Sequence, residues 1–130
     1  MKGALACLVF VSLTSCTLGY PLATHVESSG SVLVTPRRTG PGCLTSIELF
    51  ERPRSERQAR VGPDSGPIWS LRARDGQCVP GFPVLRYGQV PEGMVETAPA
   101  PPLVPGRVYW VRGYTSGGVY SAEFTAPPAR

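Results

Sequence analysis

Few residues in this 130-residue chain have side chains suited to catalysis. General acid–base or nucleophilic chemistry needs a histidine or carboxylate placed beside a reacting group. The chain has one histidine, His25, and it lies in a stretch rich in Ser, Thr and Gly. Glu48 and Glu51 are three residues apart, which would place them on opposite faces of a strand and not as a carboxylate pair. We therefore expect no catalytic activity.

The most distinctive charged feature is a set of arginines spaced through one polar loop. Its members are Arg52, Arg54, Arg57 and Arg60. Arginine binds phosphate and carboxylate groups through its planar fork, so this loop is a candidate contact for anionic groups. Glu51 and Glu56 lie among the arginines, and a run of charge is more often a solvated surface. The solvated loop is the favoured interpretation.

The N-terminal segment has the layout of a secretory signal. Lys2 supplies a positive charge, residues 3–13 form an apolar run, and small residues precede Cys16. A run of about 11 residues is far shorter than the roughly 20 that cross a bilayer as a helix. Leu13-Thr14-Ser15-Cys16 resembles the lipobox that ends a bacterial lipoprotein signal peptide. The resemblance implies cleavage before Cys16, acylation of Cys16, and, because Thr17 and not Asp follows it, anchoring in the outer membrane facing the periplasm.

An ordinary secretory signal is the alternative. Cleavage would then follow Gly19, with Thr17 and Gly19 as the small residues of the cleavage site. Cys16 would be discarded with the signal, and the protein would be secreted without lipid. Cys7 is a poorer lipidation candidate, because Ala4 stands where the lipobox has a larger aliphatic residue.

Two cysteines remain once Cys7 leaves with the signal and Cys16 is acylated. These are Cys43 and Cys78, and a secreted context favours their oxidation to one disulfide. In the chain-entropy model, closing a loop of about 35 residues contributes roughly 4 kcal/mol of stability. Two cysteines without nearby histidine or cysteine make a poor zinc site, so we expect no metal and no cofactor.

The mature chain would be rich in turn-forming residues and only weakly basic. Removal of 15 signal residues from 130 leaves 115, enough for one domain. The 15 prolines and 15 glycines argue against long helices and for short strands joined by turns. Without Lys2 there are 12 basic residues, all Arg, against nine acidic ones, a balance that does not indicate nucleic-acid binding.

Alternating apolar and polar residues predict several strands after Cys43. The candidates are 44–51, 68–73, 82–88, 94–97, 108–112 and 119–125, the last two joined by a connection from Gly113 to Gly118. In the first of them, alternation places Thr45 and Ile47 on one face and Leu44 on the other. The preceding residues, 16–42, have the composition of a flexible tether, with a candidate edge strand at 31–35.

The segment Leu103-Val104-Pro105-Gly106-Arg107-Val108-Tyr109 resembles the tyrosine corner of fibronectin type III domains. The resemblance implies that the Tyr109 phenol O–H donates a hydrogen bond to a backbone carbonyl near Pro105, within a small antiparallel β-sandwich of fibronectin type III or immunoglobulin-like kind. The alternative is that Tyr109 is an ordinary aromatic residue in a strand of some other all-β fold. Trp69 and Trp110 are expected in the core, with an aromatic ligand platform as the less favoured role.

The predicted organisation is a signal peptide at 1–15, a tether at 16–42, a β-sandwich domain at 43–126 and a tail at 127–130. The expected function is a lipid-anchored structural or protein-interaction module of the cell envelope. Its expected partners are the membrane, through Cys16, and an envelope protein. A binding module for a small or anionic ligand, a secreted protein and an enzyme accessory are the alternatives.

Overall fold

Strands build the described part of the chain. The computed structural model describes residues 19–38, 40, 42–52 and 66–128. Within these ranges there is no α-helix, the one helical element is a 3-10 turn, and no helix could cross a bilayer. The strands are β1 Gly19–Val26, β2 Val32–Pro36, β3 Cys43–Glu51, β4 Trp69–Ala73, β5 Val79–Pro80, β6 Leu85–Arg86, β7 Met94–Ala98, β8 Val108–Thr115 and β9 Gly118–Thr125. The predicted all-β class is confirmed.

The strands join edge to edge in one curled sheet. Their order is β6-β2-β1-β9-β8-β3-β4-β7, with β5 paired to the start of β3. All the pairings are antiparallel except that of β1 with β9. β1 changes partner along its length, because residues 19–21 run parallel to β9 whereas residues 22–26 pair with β2. Residues of β2 and β6 consequently share one core with those of β3, β4 and β8.

Large aromatic rings fill much of this core. Trp69 and Tyr120 are fully buried, and no polar or charged residue of the described ranges is buried with them. The Tyr120 ring packs against Tyr20 and Phe82, with centroid separations of 5.1 and 5.2 Å. A domain of this size has a limited interior, so a few rings supply a large share of its buried apolar area.

The predicted tether is wrong for residues 19–36, which form β1 and β2. The candidate strand at 31–35 is present as β2, but it is an inner strand between β1 and β6. Pro21 lies inside β1, although proline cannot donate a hydrogen bond to a ladder. It lies where β1 leaves β9 for β2, and its carbonyl accepts a hydrogen bond from the Arg37 N–H at 3.3 Å. The folded domain therefore begins at or before Gly19.

A β-bulge near the start of β3 changes which of its residues face the core. The register with β8 shifts between Leu44 and Ser46, so Thr45 is an extra, exposed residue. Leu44 consequently joins Ile47 and Leu49 in the core, contrary to the simple alternation expected from the sequence.

The C-terminal hairpin is longer than predicted. β8 continues to Thr115 and β9 begins at Gly118, which leaves a two-residue turn. The Thr115 hydroxyl accepts a hydrogen bond from Gly117 N–H at 3.1 Å and donates one to Gly118 O at 2.8 Å. Gly113, expected in the turn, lies inside β8, where an added Cβ would stand 2.7 Å from the Phe82 ring. This glycine therefore serves core packing.

The predicted strand at 82–88 is mostly irregular. Only Leu85–Arg86 pairs with β2, but Phe82 and Leu85 are both buried in the core. This segment is held by side-chain packing and only briefly by a backbone ladder.

The predicted disulfide between Cys43 and Cys78 is confirmed. Their Cα atoms are 5.2 Å apart. The bond ties the first residue of β3 to the residue before β5, and these two strands also pair with each other. Cys7 and Cys16 lie outside the described residues.

Candidate functional site

One solvent-exposed side of the sheet carries an unusual concentration of aromatic and charged side chains. Along β8, Tyr109, Val111 and Gly113 are buried, so the alternating residues Trp110, Arg112 and Tyr114 point the other way. Residues directly opposite in an antiparallel ladder share a face. We call this surface the outer face, and it consists of Trp110, Arg112, Tyr114, Ser46, Glu48, Phe50, Ser70, Arg72, Val119, Ser121 and Glu123.

Trp110 is held in place on the outer face by polar contacts. Its Nε1–H donates to Glu123 Oε2 at 2.9 Å, and the Arg52 guanidinium donates to Glu123 Oε1 at 2.9 Å. The Arg112 guanidinium carbon lies 5.5 Å from the Trp110 ring centroid, within range of a cation–π interaction. Because Arg52 and Glu123 are about half exposed, their pair adds little stability, and its main effect is to orient the indole.

Phe50 lies beside this tryptophan but is itself almost fully buried. It lies directly opposite Trp110 in the ladder, is 7% exposed, and is not part of the main core cluster. Of these two opposed residues, only Trp110 therefore presents substantial apolar surface to solvent.

Two shallow depressions flank the centre of the outer face. Each has a volume of about 250 Å³. One is lined by Trp110, Arg112, Ser121, Ala122 and Glu123. The other is lined by residues of β3, β4 and the turn after β4, including Glu48, Ser70 and Arg72. Arg112 and Glu48 face each other between them, so both signs of charge are available to a partner.

The structure separates the predicted aromatic residues into two groups. Trp69 is in the core, where its Nε1–H donates to Glu96 Oε2 at 2.8 Å. Trp110, also expected in the core, is instead half-buried on the outer face. Both faces of β8 carry aromatic residues, so the alternation of the sequence alone does not predict which face is covered. Only the packing of the rest of the chain against Tyr109 decides it.

The Tyr109 hydroxyl makes a local hydrogen bond, although not of the expected polarity. It accepts from the Val104 N–H at 2.9 Å, whereas the sequence comparison implied donation to a carbonyl near Pro105. The Tyr109 ring is buried and packs against Phe124, with centroids 5.7 Å apart. The contact fixes the approach of the proline-rich segment to the start of β8.

Replacing Tyr109 by Phe is expected to lower the free energy of unfolding by about 1 kcal/mol. The change leaves the Val104 N–H without its partner while preserving the ring, and a net hydrogen bond contributes about that much. Urea denaturation measures the difference. Tyr114→Phe is the matched control, because Tyr114 lies on the outer face and its hydroxyl has no hydrogen-bond partner among the described residues. Equal midpoints for the two variants would contradict a structural role for the Tyr109 hydroxyl.

Of the predicted arginine loop, only Arg52 can be placed. It follows β3, at the end of the sheet that lies opposite Gly19. We call this end the far end, and it contains Glu51, Val108 and Thr125. Its charge is paired with Glu123. Arg54, Arg57 and Arg60 lie outside the described residues.

The far end also contains a cavity of about 560 Å³. It is lined by Ser29, Gly30, Ser31, Val32, Tyr87, Pro102, Leu103, Pro105 and Pro127. The Tyr87 ring packs edge-on against Trp69, and its hydroxyl donates to the Pro101 carbonyl. Burial raises the pKa of Tyr87 to about 12, so this hydroxyl remains protonated at neutral pH. We call this cavity the far-end pocket.

Residues with catalytic or metal-binding potential are not brought together within the described ranges. His25 is exposed on β1, and Glu48 and Glu51 are separated along β3. No group of three or more His, Cys, Asp or Glu side chains there could hold a metal ion. Comparison of the chain with protein-family models, curated proteins and solved structures finds no match. The outer face and the far-end pocket are therefore the two candidate sites.

Proposed function

We propose that this protein is a lipid-anchored interaction module of the bacterial cell envelope that binds a protein partner through its outer face. The acyl chains on Cys16 hold it at the outer membrane, and the β-domain presents the binding surface. The observation that carries the proposal is Trp110, a half-buried indole oriented on the solvent side by Glu123 and Arg112.

The composition of the outer face supports a protein partner. Centres of protein interfaces are enriched in Trp, Tyr and Arg, and the outer face combines Trp110, Tyr114, Arg72 and Arg112. Rigid aromatic side chains gain contact area at a low cost in conformational entropy. The mixed charges of Arg112 and its neighbours would select a partner of complementary pattern.

The position of β1 supports cleavage before Cys16 over cleavage after Gly19. Cleavage after Gly19 would remove the residue that pairs with Val119 and leave the buried Tyr20 as the charged N-terminus. A charged amine beside a core residue is costly to desolvate. Cleavage before Cys16 keeps β1 intact.

The Tyr109–Val104 hydrogen bond supports a fibronectin type III or immunoglobulin-like relationship for the domain. Tyrosine corners link a phenol near the start of the second-to-last strand to backbone a few residues upstream. Tyr109 is in β8, the second-to-last of the described strands, and Val104 is five residues upstream.

Site-specific photocrosslinking in intact envelopes tests the proposed binding face. A photoreactive amino acid at the exposed Ser121 of the outer face is expected to crosslink one envelope protein. The same probe at Val84, which is 67% exposed elsewhere on the domain, is the control. Trp110→Ala with Arg112→Ala is expected to reduce the Ser121 crosslink at least tenfold, because central Trp and Arg side chains often contribute more than about 2 kcal/mol to binding.

The same experiment also tests whether the far-end pocket, and not the outer face, is the binding site. The pocket volume of about 560 Å³ is in the range of small-molecule sites, and Tyr87 is the aromatic residue of its lining. A probe at Ser29 reports on that pocket. Crosslinks from Ser29 that exceed those from Ser121 would overturn the outer-face proposal in favour of the pocket.

A further inference from the structure

The short distance between Cys16 and the folded domain restricts how an anchored protein can lie. β1 begins at Gly19, three residues after Cys16, and Gly19 is already paired with Val119. Three residues span at most about 11 Å when fully extended. If Cys16 is acylated, as the proposed function requires, the end of the sheet that contains Gly19 must stay close to the lipid headgroups.

We call this end the anchor end, formed by residues 19–21, 37–38, 40, 42 and 115–118. It is well fixed. The Arg37 N–H donates to Pro21 O at 3.3 Å, and the Gly40 N–H donates to the Tyr120 hydroxyl at 2.8 Å. A Cβ at Gly40 would lie 2.7 Å from the Tyr20 ring, so this backbone rests directly on the core. The segment that carries Arg37 and Arg38 is therefore positioned by β1 and β9.

The charge of the anchor end is positive beside β1. Arg37 and Arg38 are both exposed, and neither forms an ion pair with a carboxylate of the described residues. The described ion pairs of other arginines are Arg52–Glu123, Arg86–Glu27 and Arg107–Glu51. Asp75 and Glu92 are near the same end of the sheet but on its β4–β7 side, four or five strands from β1.

We propose that Arg37 and Arg38 bind the phosphate groups of anionic lipids beside acylated Cys16, so that the domain docks on the bilayer by its anchor end. Guanidinium groups match phosphate oxygens in geometry and charge. Each basic residue held near an anionic surface strengthens docking about 5.5-fold, so the pair gives about 30-fold. In the docked state the strands extend away from the bilayer, and the outer face remains accessible to a partner from the side of the domain.

Hydrogen exchange on the processed lipoprotein in vesicles tests this docking. One set of vesicles contains only phosphatidylcholine, and the other also contains phosphatidylglycerol. Anionic lipid is expected to slow exchange of the amides of Gly19, Tyr20 and residues 37–38 and 115–118, by up to about 30-fold if docking has the strength given above. Amides of the β1–β2 turn, such as Gly30, are expected to be unchanged. High salt should remove the effect because it screens exposed charges.

Two variants separate lipid docking from a general effect of charge. Arg37→Gln with Arg38→Gln is expected to abolish the difference between the two vesicle types. Arg74→Gln with Arg107→Gln removes the same charge from two arginines that belong neither to the β1 side of the anchor end nor to the outer face, and this variant is expected to keep most of the difference. Loss of the effect in both variants equally would overturn specific docking through Arg37 and Arg38.

The remaining outcomes distinguish this inference from the proposed anchor. If the processed protein without substitutions inserts into neither type of vesicle, both the lipid anchor and the docking are wrong. Stable insertion with equal exchange in both vesicle types would overturn the docking alone. Protection of residues 37–38 by inorganic phosphate over neutral vesicles, absent with chloride at equal ionic strength, would identify a free-anion site and overturn the lipid assignment.

Discussion

Replacement of Cys16 by Ser is expected to abolish acylation and, with it, the cleaved form of the protein that partitions into the detergent phase. Each buried methylene of an acyl chain contributes about 0.8 kcal/mol to membrane binding. Stable anchoring requires two membrane-binding signals, such as two acyl chains. A serine hydroxyl cannot form the thioether on which acylation depends. The variant should therefore accumulate as an uncleaved precursor or as a water-soluble protein, distinguished by intact mass.

Cys7→Ser is the matched control for this experiment. Cys7 lies in the apolar run, nine residues before Cys16, and is removed with the signal if cleavage precedes Cys16. The mature protein from this variant should have the same mass and the same partition as the unmodified chain. If the Cys16 variant also kept both the mass and the partition of its parent, the lipoprotein assignment would be wrong.

Loss of the Cys43–Cys78 disulfide is expected to lower the free energy of unfolding by about 4 kcal/mol in the chain-entropy model. The two residues are 35 apart, so the bond removes much of the freedom of the unfolded chain. A small domain has a total stability of about 5–15 kcal/mol, so this is a large part of it. The β3–β5 ladder holds the same segments together and should let the reduced protein fold.

Urea denaturation of the Cys43→Ala, Cys78→Ala double variant measures this contribution. A midpoint lower by about 1.3–4 M is expected from the typical urea dependence of small domains, about 1–3 kcal/mol per M. Treating the parent with reductant provides the control, because Cys78 is exposed and the reduced parent should match the double variant. Midpoints that agree within error between oxidised parent and variant would show that β3–β5 pairing alone fixes the loop.

The sequence predicted the features that depend on local residue type. Scattered prolines excluded long helices, and β-branched and aromatic runs predicted β3, β4, β7, β8 and β9 in approximately the right places. Elimination of the N-terminal cysteines predicted the disulfide partners correctly. These inferences succeeded because each depends on the conformational preference or the chemistry of nearby residues.

β1 was predicted to be part of a tether because its residues show only a weak strand pattern. Only Tyr20 and Leu22 of this strand are buried, and Pro21 between them cannot donate a backbone hydrogen bond. Its pairing partners are β2 and the distant β9, about a hundred residues away. Such a strand is stabilised by contacts that no short window of sequence contains.

The candidate sites depended on tertiary structure for the same physical reason. Composition identified Trp69, Tyr109 and Trp110 as important aromatics, but a strand's period of two leaves open which of its faces is covered. The register of β8 between β3 and β9 buries Tyr109 and exposes Trp110 beside Glu123 and Arg112. The anchor end likewise joins residues 19–21, 37–38 and 115–118, because long-range strand pairing brings together segments that lie far apart in the chain. Local sequence determined that the described residues form strands and the Cys43–Cys78 disulfide, whereas long-range register decided which side chains face solvent and which end of the sheet contains Gly19.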